Sequence, residues 1–138
     1  MPVTQVWERI FLGSLHDVSD LAKSNPHGVT TLISLCSEPV RAKSSGINYL
    51  QFPIADSRRL PVGQFDRIID AIGENVRWGT ALVNCYGGMV RSPILTAAWM
   101  DVCGYKNIDD ALRDIAAIRS IISTESIALL KSIRKHLR

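Results

Sequence analysis

One stretch of the sequence decides the fold: Val83-Asn84-Cys85-Tyr86-Gly87-Gly88-Met89-Val90-Arg91-Ser92-Pro93. The apolar residues 80–84 predict a short buried strand that ends at Cys85. Residues 93–102 are apolar and predict a helix that stops near Gly104. The chain therefore passes from a strand through a glycine-containing turn into a helix. Because the amides of such a turn and the unpaired amides of a helix N-terminus can point at one centre, we interpret the turn as an anion-binding loop.

A cysteine, an arginine and a serine occupy this loop in positions that suit phosphate chemistry. Amide donors that bind an anion also stabilise a thiolate, and comparable sites lower a cysteine pKa from about 8.5 to roughly 3.5 to 7.5. Cys85 is thus a candidate nucleophile. The planar guanidinium of Arg91 can hold two phosphoryl oxygens, which a lysine cannot match. The hydroxyl of Ser92 can donate to the sulfur and make it a better leaving group.

The loop pattern Cys-x-x-Gly-x-x-Arg-Ser resembles the phosphate-binding loop of protein tyrosine and dual-specificity phosphatases. Residues 52–57 resemble the general-acid segment of these enzymes, and residues 10–14 and 29–35 resemble the opening of their small members. The resemblance implies four catalytic residues. They are Cys85 as nucleophile, Arg91 as phosphate clamp, Asp56 as general acid and Ser92 as hydrogen-bond donor to the sulfur. It implies a phosphate-binding loop made of Tyr86, Gly87, Gly88, Met89, Val90 and Arg91. It also implies that no metal or other cofactor is required.

Two positions beside the loop modify this expectation. Asn84 stands where the family usually has a histidine, so we expect a less acidic thiol and a modest turnover. The segment around Cys36 is similar to one in the phosphoinositide-directed branch, where a cysteine forms a reversible disulfide with the nucleophile. A Cys36–Cys85 disulfide is therefore a hypothesis, and a buried thiol that never meets Cys85 is an equal alternative. We expect Cys103 to lie in the core.

Composition narrows the class of protein. The chain has 138 residues, of which 46% are hydrophobic, and we interpret residues 1–138 as a single catalytic domain. Its formal charge of +3 is too small to indicate a nucleic-acid partner. The sequence has no apolar run long enough for a membrane span. Residues 1–10 contain Glu8 and no long apolar stretch, which does not favour a secretory signal, and we expect a cytoplasmic protein. Three widely spaced cysteines favour neither a disulfide framework nor a zinc site.

The remaining patterns predict an α/β fold. Strands are expected within residues 5–12, 29–36 and 47–54, and helices over residues 17–23, 61–78, 108–118 and 123–137. Together they predict a central four- or five-stranded sheet flanked by helices, as in protein tyrosine phosphatases, with the loop at the carboxyl end of a central strand.

The function expected from these features is hydrolysis of phosphotyrosine, and of phosphoserine or phosphothreonine, in a phosphorylated protein substrate. Phosphatases of non-protein substrates (a phosphoinositide, an RNA or a glucan phosphate) remain an alternative. A phosphate-binding interaction module without turnover is another, and a sulfurtransferase is a remote third. The sequence does not indicate an oligomeric state.

Overall fold

A five-stranded mixed sheet forms the centre of the protein. The computed structural model describes residues 3–55, 59–86, 90–119 and 127–137. The strands are β1 (Thr4–Trp7), β2 (Ile10–Ser14), β3 (Thr31–Ser34), β4 (Asn48–Gln51) and β5 (Ala81–Cys85). Their order across the sheet is β1-β2-β5-β3-β4, and only β1 runs antiparallel to its neighbour. The strand that leads to Cys85 is therefore the central one, as predicted.

The described residues form five helices around the sheet. They are α1 (Leu15–Val18), α2 (Val62–Val76), α3 (Arg91–Val102), α4 (Ile108–Ile118) and α5 (Ile127–His136). The apolar positions of α2 recur at three- and four-residue steps, so one stripe of this helix is buried. Residues 92–100 of α3 are all buried, which shows that this helix is enclosed by its neighbours. Asn107 accepts a hydrogen bond from the Asp110 amide and so caps α4.

Alternate residues of the strands enter two apolar clusters. Ile10, Ile33 and Val83 belong to the larger cluster, which contains the buried side chains of α2 to α5. Phe11, Leu32 and Leu82 point to the smaller cluster, which is completed by α1 and the chain around residues 21–29. Because successive strand residues face opposite sides, the sheet has a core on each face.

Two expectations about local structure were wrong. The helix expected over residues 17–23 is the shorter α1, which begins two residues earlier because Ser14 and Asp17 form a reciprocal capping box, and the chain turns after Val18. Cys103 is exposed and does not lie in the core, since it follows the last residue of α3.

Within the described ranges, none of the helices is long and apolar enough to cross a membrane.

Candidate active site

Cys85 lies at the end of the central strand, where the carboxyl ends of the parallel strands meet. Cys85 is the last residue of β5 and pairs in register with Ser14 of β2. On one side of it, the amide of Leu35 donates to the Asn84 carbonyl at 2.8 Å. On the other side, the amide of Leu15 donates to the Tyr86 carbonyl at 3.0 Å. The backbone before and after the sulfur is therefore fixed by neighbouring segments.

The environment of Cys85 favours its thiolate. Burial raises the pKa of this thiol, because the side chain is only 2% exposed and a thiolate there loses water. Opposing this, the hydroxyl of Ser92 lies 3.3 Å from Sγ, and the amides of Ser92 and Val90 also donate to the sulfur. The positive charge of Arg91 acts in the same direction. The net result is a pKa of Cys85 below its ordinary value, as expected of an activated nucleophile.

Within the part of the chain that the structure describes, the guanidinium of Arg91 is anchored through Nη1. Its Nη1 donates to the carbonyl oxygens of Ile54 at 3.0 Å and Leu35 at 3.3 Å. Its Nε is buried and has no hydrogen-bond partner among the residues that the structure describes. A buried donor without a partner is costly, so such a group calls for an explanation. The anchored side fixes the plane of the guanidinium, and Nε can donate a hydrogen bond to an oxyanion.

The other predicted loop residues are described only in part. Tyr86 is 61% exposed, which places its ring at the surface beside the loop, whereas Val90 is buried at the start of α3. Gly87, Gly88 and Met89 lie outside the described residues, and so does Asp56. The contact from Arg91 to the carbonyl of Ile54 shows that the chain two residues before Asp56 runs beside the arginine.

Asn84 and Cys36 lie close together on neighbouring strands. Asn84 is fully buried, and its Nδ2 lies 3.9 Å from the sulfur of Cys36. The hydroxyl of Ser34 lies 3.4 Å from the same sulfur. Both Cys36 and Cys85 carry free thiols in this structure, so the disulfide between them stays a prediction.

A buried ion pair beside the loop was not predicted. Arg119, which follows α4, is fully buried, and its Nη2 lies 3.7 Å from Oδ2 of Asp17. That carboxylate also accepts from the Ser14 amide at 2.8 Å. The spacing of Ser14 and Asp17 is a capping-box signal that sequence inspection could have found. Nothing in the sequence around Arg119 distinguishes it from a solvated arginine.

Curated proteins similar in sequence to this chain are named dual specificity protein phosphatases. Human dual specificity protein phosphatase 15 is 33% identical over 115 residues, which cover 81% of this chain and 38% of that protein. The crystal structure of DUSP15 superposes with a TM-score of 0.80 at 26% identity and covers 99% of this chain and 85% of that one. No protein-family model matches the chain.

The fold extends to more distant structures. A mouse putative dual specificity phosphatase, solved in complex with zinc tungstate, gives a TM-score of 0.84 at 18% identity and covers 98% of this chain and 86% of that chain. At this identity the likeness concerns the fold alone. The chain spans between 31% and 61% of the length of the curated relatives it matches.

Proposed function

Because the chain belongs to the dual-specificity phosphatases of the protein tyrosine phosphatase superfamily, we propose that it hydrolyses phosphomonoesters through a cysteinyl-phosphate intermediate. The observation that carries this proposal is the Cys85 thiol, whose pKa is lowered by donors from the start of α3. A merely structural cysteine at the end of a buried strand would need no such donors, and burial alone would raise its pKa.

In the first step, the thiolate of Cys85 attacks phosphorus and the bond from phosphorus to the ester oxygen breaks. The equatorial oxygens are held by the Nε side of Arg91 and by the loop amides. Asp56 donates a proton to the departing oxygen, which leaves as an alcohol or phenol. The role of Asp56 is inferred from the resemblance of residues 52–57 to the general-acid segment of these enzymes.

In the second step, water attacks the cysteinyl phosphate. Asp56, now ionised, accepts the proton of the water, and the bond from phosphorus to sulfur breaks to give inorganic phosphate. The Ser92 hydroxyl, 3.3 Å from Sγ, donates to the sulfur as negative charge returns to it. This contact makes the thiolate a better leaving group.

We propose a phosphorylated protein as the substrate, with phosphotyrosine cleaved and phosphoserine or phosphothreonine as further candidates. The curated relatives are named dual specificity protein phosphatases, which supports this choice. The exposed ring of Tyr86 beside the loop offers a surface against which a phosphorylated side chain of a protein can pack.

The test is hydrolysis of p-nitrophenyl phosphate by the reduced protein across a pH series in the presence of a chelator. We expect turnover by the parent, loss of turnover in Cys85→Ser, and a strongly reduced rate in Asp56→Asn because the leaving oxygen then departs without a proton. Cys103→Ser, which changes an exposed thiol away from the loop, is the matched control and is expected to keep the parent rate.

Each result of this test has a defined meaning. If folded, reduced parent protein shows no turnover, or Cys85→Ser keeps its rate, the proposed reaction is wrong and a phosphate-binding module is the better account. If the parent is active, phosphotyrosine, phosphoserine and phosphothreonine versions of one peptide then rank the substrates.

A further inference from the structure

A groove lined by positive charge lies between α5 and the chain that follows the predicted general-acid segment. Its volume is about 440 Å³. One wall consists of Arg59, Leu60, Pro61 and Val62, and the other of Ala128, Lys131, Ser132, Lys135 and His136. We call this feature the basic groove. Among the lining residues that the structure describes, none is acidic, and the charge that they offer to a ligand is positive.

Three cations of the basic groove form no ion pair among the residues that the structure describes. Arg59, Lys131 and Lys135 are exposed, and none of them forms an ion pair with any residue in the described part of the chain. The nearby Arg134, in contrast, is paired with Asp109. Lys131 and Lys135 lie four residues apart on α5, so their side chains line the same stripe of the helix.

The walls of the basic groove are held in place by hydrogen bonds. The hydroxyl of Ser132 accepts from the amide of Leu60 and donates to its carbonyl, both at 3.0 Å. Nε2 of His136 lies 2.6 Å from the same carbonyl. Ser132 and Leu60 are buried, so these contacts form the floor of the groove and are not exposed to water. The walls are therefore held in a fixed arrangement, with hydrogen bonds beneath a cationic rim.

The basic groove is within reach of a substrate bound at Cys85. Arg91 contacts the carbonyl of Ile54, and Leu60 follows six residues later, a chain length that spans at most roughly 20 Å when extended. Arg59 comes three residues after Asp56 in the sequence. An extended peptide covers the same distance with about six residues.

We propose that the basic groove binds an acidic stretch of the phosphoprotein substrate, about five to eight residues from the phosphorylated side chain. This inference rests on the proposed function and adds a preference for sequence to it. A concave site suits glutamate or aspartate side chains and the aliphatic carbons of a polypeptide when it offers three cations without ion pairs among the described residues and apolar side chains such as Pro61 and Val62.

The test compares matched phosphotyrosine peptides. One pair carries four glutamates five to eight residues before the phosphotyrosine, or four glutamines at the same positions, and a second pair carries them after it. We expect the parent to hydrolyse at least one glutamate peptide with a kcat/KM about three- to tenfold above its glutamine twin, because exposed charge pairs contribute little each. The preference is expected to shrink as salt is added.

Two of the three cations of the basic groove are then replaced by neutral residues. In the double variant Lys131→Gln, Lys135→Gln, the ratio of kcat/KM between glutamate and glutamine peptides is expected to fall to about one. The matched control is Lys23→Gln, Arg77→Gln, which removes two exposed cations that do not line the groove. It is expected to keep the parent's ratio.

A binding measurement separates this inference from the proposed function. Fluorescence anisotropy of a labelled glutamate peptide without phosphate is measured with the parent and with both double variants. If p-nitrophenyl phosphate is not hydrolysed but peptide binding depends on Lys131 and Lys135, the proposed reaction fails and the groove stands as an acidic-peptide site.

Two outcomes overturn the inference. One is an active parent with equal kcat/KM for glutamate and glutamine peptides and no binding of the labelled peptide. The other is binding to vesicles that contain phosphatidylserine, lost in Lys131→Gln, Lys135→Gln, without any preference for glutamate peptides. The second result would identify the groove as part of a membrane-facing surface.

Discussion

At the scale of single residues, the hydroxyl of Ser92 lowers the pKa of the Cys85 thiol. Its hydroxyl lies 3.3 Å from Sγ and is buried, so water cannot easily replace it. In Ser92→Ala we expect the pKa of Cys85 to rise towards its ordinary value. Because hydrogen bonds to charged groups are worth about 1.5 to 3 kcal/mol, we expect kcat to fall by about ten- to a hundredfold. The pH dependence of iodoacetamide alkylation and single-turnover kinetics measure these two effects.

A matched control for this change lies one helical turn later. Thr96 is also buried on α3, but its hydroxyl has no hydrogen-bond partner among the described residues. Thr96→Val is therefore expected to leave alkylation of Cys85 unchanged and to raise the free energy of unfolding by about 1 kcal/mol, since it removes an unpaired buried hydroxyl. An equal loss of kcat in both variants would show that Ser92 acts through packing alone.

The lowered pKa of Cys85 also makes the stability of the fold depend on pH. The folded chain loses the thiol proton at a lower pH than the unfolded chain, whose thiol has a pKa of about 8.5. Between these two pKa values the unfolded state binds more protons, so the free energy of unfolding rises with pH. This contribution is complete above the unfolded pKa and is lost as pH falls through the folded pKa.

Urea unfolding of the reduced protein across this pH range measures the effect. Cys85→Ser is expected to abolish the rise, because serine does not titrate there, and Cys103→Ser is expected to keep it. A rise of the same size in Cys85→Ser would assign the pH dependence to other groups.

Sequence reasoning at this scale predicts candidate reactive residues but not what positions them. Cys85, Arg91 and Ser92 are candidates because their spacing and residue types suit phosphate chemistry, and their roles stay predictions. The anchoring of Arg91 could not, because its partners are the backbone carbonyls of Leu35 and Ile54, and every residue has a carbonyl. Asp56 stays a prediction from the sequence.

At the scale of secondary-structure elements, close packing between α2 and the sheet depends on a glycine. A Cβ built on Gly79, in the turn from α2 to β5, would lie 3.0 Å from Cβ of Thr30 and closer still to its hydroxyl. Thr30 cannot move aside easily, because that hydroxyl donates to the Thr80 carbonyl at 3.1 Å and accepts from the Thr80 amide at 2.9 Å. We expect Gly79→Ala to lower the free energy of unfolding by about 1 to 3 kcal/mol.

The first turn of α2 provides the opposite case. A Cβ on Gly63 would meet no atom within 4 Å, so Gly63→Ala is expected to raise the free energy of unfolding by about 0.4 to 1 kcal/mol through a stiffer unfolded chain. Urea unfolding of both variants tests the pair. If Gly79→Ala were as stable as the parent, the close approach to Thr30 would not matter.

The bounds of most helices and strands could be predicted from the sequence, whereas the arrangement of these elements could not. The periodicity of residues 61–78 and 108–118 predicts α2 and α4 almost to the residue, because one stripe of each helix is buried. Strand order is not encoded in such local patterns, since β2 and β3 pair with β5 although many residues separate them in the chain. The basic groove was missed for the same reason, because its walls are about seventy residues apart in sequence.

At the scale of the whole molecule, the ion pair of Arg119 and Asp17 joins distant parts of the chain. Arg119 is fully buried, the Asp17 side chain is 10% exposed, and Arg119 also donates to the hydroxyl of Thr4 at 2.8 Å. Breaking a buried pair by removing one charge typically costs about 3 to 5 kcal/mol. We expect Asp17→Asn to cost more than Arg119→Met, since the first change removes an anionic partner from a fully buried arginine, whereas the second removes the buried cation itself.

A double-mutant cycle of these two changes, followed by urea unfolding, measures the coupling. The double variant is expected to be more stable than the sum of the single losses predicts, because the second change removes the charge that the first left uncompensated. Additive losses would mean that the two side chains act independently.

The sheet described above also has short edges. β1 and β4 have four residues each, the register of β1 shifts between Gln5 and Trp7, and the Gln51 side chain of β4 donates to the carbonyls of Cys36 and Glu38. Long, flat edges are templates on which strands of other molecules add. We therefore expect concentrated solutions of this protein to resist the edge-to-edge growth that leads to fibrils.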